Sequence, residues 1–107
     1  MTMERDIQKD ILLALGRIDG VKAFRLNVGL AKDRRGRAVR FGTPGMADIL
    51  CLVGPRYLWL ECKSPTGRQT PEQRAFERAV LSIGGAYRVV RSVDEALQAV
   101  REVYHAR

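Results

Sequence analysis

Three residues in the middle of the chain, Asp48, Glu61 and Lys63, have the types and the spacing that metal-assisted hydrolysis requires. Asp48 opens one apolar run and Glu61 lies late in the next. The short turn at Gly54-Pro55 joins the two runs, so they are predicted to form antiparallel strands. The start of the first strand then lies beside the end of the second. We therefore expect the two carboxylates to meet at one end of a sheet.

Two neighbouring carboxylates repel each other unless one takes up a proton or a cation lies between them. A hard divalent cation with oxygen ligands fits this position. Because side chains alternate along a strand, Lys63 points to the same face as Glu61 and lies beside the predicted ion. Its ammonium could hold a phosphate oxygen or orient and activate a water. The spacing alone also fits a solvated ion pair at a strand edge.

Glu4 and Gln73 each allow two interpretations. Glu4 shares a helical face with Ile7 and Ile11, so its carboxylate could reach the sheet end and join a metal site. It could equally be a favourable charge in the first turn of a helix. Gln73 is placed to close a capping box with Thr70, and it could also face the site.

A basic loop precedes these runs. The chain has 19 Lys and Arg against 12 Asp and Glu, a net charge of +7 that favours a polyanionic partner. The loop is predicted to be a hairpin tip that grips a phosphate backbone, with a solvated turn as the alternative. No motif for direct base reading is present. The predicted DNA-binding residues are Lys32, Arg34, Arg35, Arg37 and Arg40.

The periodicity predicts an α/β domain around a mixed central sheet. The order is a helix, then three or four strands, a helix, a strand and a helix. The first two strands are expected to pair as a hairpin. The second helix begins at Thr70-Pro71, and Ser92 with Glu95 opens the third through another capping box. The predicted strands cover 21–28, 38–41, 48–53, 57–63 and 86–91.

Composition excludes several classes of protein. The 107 residues suit one domain, 1–107. Cys51 and Cys62 lie in apolar runs and are expected to be reduced core residues. His105 is the only histidine, which argues against zinc and against a Ser-His-Asp site. No phosphate-binding P-loop, apolar run of membrane-spanning length or signal peptide occurs, so we expect a soluble cytoplasmic protein with no nucleotide cofactor.

The motif order resembles the VRR-NUC domain of the PD-(D/E)XK nuclease superfamily, which has a restriction-endonuclease-like core. The resemblance is carried by 45–48, Glu61-Cys62-Lys63, Gly67, 70–73 and the tail 84–92, with Ala47 standing where the superfamily pattern has proline. It implies that Asp48, Glu61 and the main-chain carbonyl of Cys62 bind Mg²⁺ or Mn²⁺ and that Lys63 assists the attacking water. Glu4 and Gln73 would complete the catalytic site, with Glu4 as a further metal ligand.

The resemblance implies a Mg²⁺- or Mn²⁺-dependent endodeoxyribonuclease, selective for branched DNA such as Holliday junctions. Family members of this size resemble phage and archaeal Holliday-junction resolvases, which act as homodimers, so the resemblance also implies a homodimer. The small size suits a phage protein. Two other functions stay open at this point. One is a non-catalytic nucleic-acid-binding module on the same fold, and the other is a plain interaction domain.

Overall fold

The computed structural model describes residues 3–26 and 29–106, which form an α/β fold with three helices. The predicted order of helices and strands is confirmed, but five strands, rather than the predicted three or four, lie between the first two helices. No helix in 3–26 or 29–106 combines the length and apolar character needed to cross a bilayer. The elements are α1 (Glu4–Leu15), β1 (Val21–Arg25), β2 (Gly29–Lys32), β3 (Ala38–Phe41), β4 (Ile49–Val53), β5 (Arg56–Cys62), α2 (Pro71–Ser82), β6 (Ala86–Val90) and α3 (Val93–His105).

The central sheet has four strands in the order β1-β4-β5-β6. The pairs β1–β4 and β4–β5 are antiparallel, whereas β6 runs parallel to β5. The sheet is therefore mixed, as predicted, and is compatible with a restriction-endonuclease-like core. The two most apolar runs form the central strands β4 and β5, because a central strand hides its backbone and much of both faces from water.

The two faces of the sheet are covered differently. One face packs on α1 and α3 and forms the main core, where Ile11, Ile49 and Leu60 are fully buried. Cys51 and Cys62 lie in this core as free thiols, as expected. We call the opposite side the α2 face, since α2 packs there through the edge-to-face pair of Phe76 and Trp59, whose ring centroids lie 5.1 Å apart.

The strand pairing predicted for 21–28 with 38–41 is wrong. β1 ends at Arg25 and pairs with β4, whereas β3 pairs with the separate strand β2. Within the described chain, these two strands pack on each other and on no other helix or strand. Both segments alternate in the manner of a strand, so the local sequence pattern could not decide which strand β1 pairs with. β1 pairs with β4 because the apolar edge of β4 offers it a large hydrophobic surface.

Capping explains where two of the helices begin. The Thr70 hydroxyl accepts from the Gln73 N–H, and the Gln73 side chain accepts from the Thr70 N–H, which is the predicted capping box. Ser92 caps α3 by accepting from the N–H of Glu95. The Glu95 carboxylate accepts from the Arg91 N–H, one residue earlier than a full box requires.

Candidate metal centre

The carboxylates of Glu4, Asp48 and Glu61 meet at one end of the sheet. Ile49 faces Leu60 in the β4–β5 ladder, so continuing this antiparallel register by one pair sets Asp48 opposite Glu61. Glu4 comes from the first turn of α1. One carboxylate oxygen from each residue lies within 4.8 Å of the other two. We call these three residues the carboxylate cluster.

Glu61 is the buried member of the cluster, with no exposed surface. Its Oε2 accepts from Gln73 Nε2 at 3.1 Å and lies 3.7 Å from Lys63 Nζ. Its Oε1 is buried and has no hydrogen-bond partner among the described residues. Such an orphaned oxygen destabilises a fold unless a proton or a ligand engages it.

The electrostatic environment of Glu61 also favours a proton or a bound cation at this carboxylate. Burial, and next the negative charge of Asp48, raise the pKa of Glu61 from 4.5 to about 8. The Lys63 ammonium acts in the opposite direction but does not cancel these effects. Without a cation, the folded protein therefore keeps Glu61 protonated at neutral pH.

Asp48 is fixed by the neighbouring strand. Its Oδ2 accepts from the backbone N–H of Cys62 at 2.8 Å, so the end of β5 lies directly beside this carboxylate. Burial, followed by the charge of Asp48, raises the pKa of the Cys62 thiol and keeps it protonated. Ligation by the Cys62 carbonyl stays a prediction.

The donor set fits a hard divalent cation. Carboxylate oxygens are the ligands that Mg²⁺ and Mn²⁺ accept, and no nitrogen or sulfur ligand is needed. The unpartnered Glu61 Oε1 adds a buried oxygen that no described donor engages. The residues present therefore suit Mg²⁺ or Mn²⁺, with Glu4, Asp48 and Glu61 as the groups that would hold it.

Gly45 sets the approach of α2 to this end of the sheet. It has φ +80°, and a Cβ there would overlap the backbone of Glu72 and lie 2.8 Å from the Gln73 nitrogen. Only a glycine permits this contact, which places the start of α2 against the segment leading to Asp48. The sequence indicated a turn at Gly45, but the helix backbone that fills its missing side chain is a tertiary contact.

Sequence reasoning missed Arg91. Its guanidinium Nη1 donates to the carbonyl oxygens of Ser64 at 2.6 Å and Gly67 at 2.7 Å, and so holds the loop that follows Lys63. Arg91 reaches this loop because β6 runs parallel to β5 and ends beside it; the Lys63 N–H donates to the carbonyl of Val90. The only local signal for this role is a basic residue directly after the last strand, and that signal does not show that β6 lies parallel to β5.

The predicted basic loop is a hairpin tip, as expected, and we call β2, β3 and their turn the basic hairpin. Asp33 shapes the turn by accepting from the backbone N–H groups of Arg35 and Arg37, and it forms an ion pair with Arg37 Nε at 2.9 Å. Lys32, Arg34, Arg35 and Arg37 are exposed, and the side chain of Arg40 lies outside the described residues. None of the four described cations contacts the carboxylate cluster, so the structure does not unite the two groups. Lys63 and Gln73, in contrast, both lie against Glu61 of the carboxylate cluster, so five of the predicted catalytic residues meet at one place: Glu4, Asp48, Glu61, Lys63 and Gln73.

Comparisons with known proteins give no match, either among protein-family models or among curated proteins. The resemblance to the VRR-NUC domain therefore depends on the motif residues themselves. The geometry of the carboxylate cluster is the other observation that bears on function.

Proposed function

We propose that this protein is a Mg²⁺- or Mn²⁺-dependent endonuclease that hydrolyses phosphodiester bonds in DNA and prefers branched structures. One observation carries the proposal: one carboxylate oxygen from each of Glu4, Asp48 and Glu61 lies within 4.8 Å of the other two, and Glu61 has both a buried, unpartnered Oε1 and an Oε2 that lies 3.7 Å from the Lys63 ammonium. In a purely structural cluster, the large majority of buried oxygens are paired with a donor. Among the described residues, that pairing is incomplete at Glu61 Oε1.

Each side chain has a defined task in this proposal. Gln73 donates to Glu61 Oε2 and fixes the orientation of that carboxylate. The Cys62 N–H does the same for Asp48 through Oδ2. The Lys63 ammonium, itself almost fully buried, can donate to a phosphate oxygen or to a water that attacks the phosphorus atom.

A bound divalent cation supplies two things to such a reaction: it lowers the pKa of a coordinated water and offsets negative charge on the phosphate. The chain itself supplies three carboxylates to bind the ion and one ammonium to stabilise charge in the transition state. Lys63 is buried and its Nζ lies 3.7 Å from Glu61 Oε2, so it is pre-positioned for this task.

The net charge of +7 and the basic hairpin support a nucleic acid as the substrate. The hairpin cations are separate from the carboxylate cluster, as expected for contacts that position a phosphate backbone while another region does the chemistry. The same hairpin favours the second candidate, a module that binds nucleic acid without cleaving it.

The test is cleavage of linear, flapped and four-way DNA in Mg²⁺, in Mn²⁺ and in chelator. Asp48→Asn and Glu61→Gln should each lower the rate by about a hundredfold or more while the fold, followed by circular dichroism, is kept. Glu102→Gln is the matched control, because Glu102 is a carboxylate on α3 paired with Arg88. Its rate should equal that of the wild type.

Three outcomes separate the candidates. Cleavage that requires metal and both carboxylates supports the endonuclease. Salt-sensitive binding without cleavage in either metal supports the binding module and overturns the endonuclease. Absence of binding at low salt overturns both.

A further inference from the structure

The α2 face is covered over only half of its width. α2 packs on β6 and, through Phe76, on Trp59 of β5. Among the described helices, none lies over the β1 and β4 part of this face. Leu50 and Leu52 are accordingly only half-buried, although they belong to a central strand.

Phe24 is the prominent residue of this open part. It faces Leu50 in the β1–β4 ladder, and Leu50 faces Trp59 in the next ladder, so the three side chains form one row on the α2 face. Trp59 is sheltered by Phe76, whereas Phe24 is 50% exposed on the edge strand. With the half-buried Leu50 and Leu52, Phe24 forms a contiguous exposed apolar patch, which is the kind of surface that marks a binding site.

This row is the neighbour of the row that contains the carboxylates. The Leu26 N–H donates to the Asp48 carbonyl at 2.8 Å, which continues the β1–β4 register by one pair and sets Leu26 beside Asp48. Phe24 lies two residues back along the same strand. Strand geometry then separates Phe24 from Asp48 by roughly 8 Å between Cα atoms. A nucleotide next to a phosphate at the cluster lies within that distance.

We propose that Phe24 stacks on an unpaired base adjacent to the scissile phosphate, with Leu50 forming the floor beside it; this inference rests on the proposed function. The face of a base is free for stacking only where the nucleotide is not enclosed in a duplex. An aromatic residue is the common platform for single-stranded bases, since every base offers a π-face. Phe24 thereby gives the site a preference for DNA with an unpaired nucleotide at the cleavage position.

Charge favours this occupant over a second protein surface. Lys22, two residues before Phe24 and on the same face, is exposed and faces Leu52. An apolar ring flanked by a cation matches a base and its phosphate. Because the row with Phe24 adjoins the row with Asp48 and Glu61, the stacked base belongs to the DNA strand that is cut.

The first experiment measures stacking directly and needs no cleavage. Single-stranded DNA carrying 2-aminopurine at successive positions is mixed with the protein in chelator, and the fluorescence quench is recorded. The wild type should quench the probe at one position and bind about 5- to 150-fold more tightly than Phe24→Ala. Phe24→Trp should keep the quench and Phe24→Leu should lose it. Tyr104→Ala, which removes an exposed aromatic ring on α3, should behave as the wild type does.

The second experiment compares cleavage in Mn²⁺ of a fork, with an unpaired nucleotide at the cleavage position, and a fully paired duplex. Phe24→Ala should lower kcat/KM for the fork by the same factor and leave the duplex rate unchanged. Equal quenching by the wild type and Phe24→Ala, or wild-type behaviour of Phe24→Leu in both assays, overturns the inference. A Phe24→Ala variant that converts a dimer into a monomer in light scattering also overturns it, because a second copy then covers this face. If the wild type cleaves nothing, the proposed function fails, and the fluorescence result still decides whether Phe24 stacks on bases.

Discussion

Replacing Glu61 by glutamine should make the metal-free protein more stable at alkaline pH. In the unfolded chain Glu61 ionises near pH 4.5, whereas in the folded protein burial and Asp48 keep it protonated until about pH 8. Between these values the folded state binds more protons, so stability falls as the pH rises. At about 1.4 kcal/mol for each tenfold change in acidity, the loss amounts to at most roughly 5 kcal/mol. The Glu61→Gln variant has no titrating group at this position and should escape this loss.

The assay is denaturant unfolding in chelator at pH 5 and pH 8.5, followed by the fluorescence of Trp59, the only tryptophan. Wild type and Glu61→Gln should be similarly stable at pH 5 and differ by several kcal/mol at pH 8.5. Glu102→Gln is the control: Arg88 holds the pKa of that exposed carboxyl below its usual range, so it does not titrate in this window. Parallel pH profiles of wild type and Glu61→Gln would refute the reasoning, since Glu61 would then ionise at its ordinary pH.

The site and its supporting contacts lead to four further predictions. Mn²⁺ should raise the Tm of the wild type more at pH 8 than at pH 6, because the ion replaces the proton of Glu61; an equal rise in Glu61→Gln would contradict this. Gly45→Ala should lower the free energy of unfolding by more than about 2 kcal/mol, since its Cβ overlaps the first turn of α2 and its φ is positive; wild-type stability in urea would disprove the close approach. Arg91→Met should lower the free energy of unfolding by about 2 kcal/mol, because it removes two hydrogen bonds to carbonyl oxygens, whereas Arg91→Lys should keep part of that stability; calorimetry measures the stability of both variants. Light scattering should detect a homodimer that Ile83→Asp weakens, because Ile83 is 86% exposed at the end of α2; a wild-type monomer would end this expectation.

Local signals predicted the elements well where a short segment decides its own structure. The start of α2 is one example, since Thr70, Pro71 and Gln73 are close in sequence and satisfy the helix amides themselves. Alternation along β5 likewise put Glu61 and Lys63 on one face, and their positions confirm it. The juxtaposition of Asp48 and Glu61 followed from the short turn at Gly54.

Contacts between segments that are distant in the chain could not be predicted from the sequence. Helical spacing could not decide whether Glu4 joins the site, because the answer depends on how α1 lies across the sheet. The partner of β1 was predicted wrongly for the same reason. Arg91 and Phe24 acquire their roles only through neighbouring strands. Local periodicity predicts neither the parallel pairing of β5 with β6 nor the open part of the α2 face over β1 and β4.

The two hydrogen bonds of the Gln73 side-chain amide determine which oxygen of Glu61 carries the proton. The Thr70 N–H can only donate, so the Gln73 oxygen must face it, and the Gln73 nitrogen must therefore donate to Glu61 Oε2. Oε2 thus faces two donors, the Gln73 amide and the Lys63 ammonium, whereas Oε1 faces none among the described residues, so Oε1 is the favoured position for the acidic hydrogen whenever Glu61 is neutral. The amide at the start of a helix thus decides which of two chemically equivalent oxygens releases its hydrogen when an ion arrives.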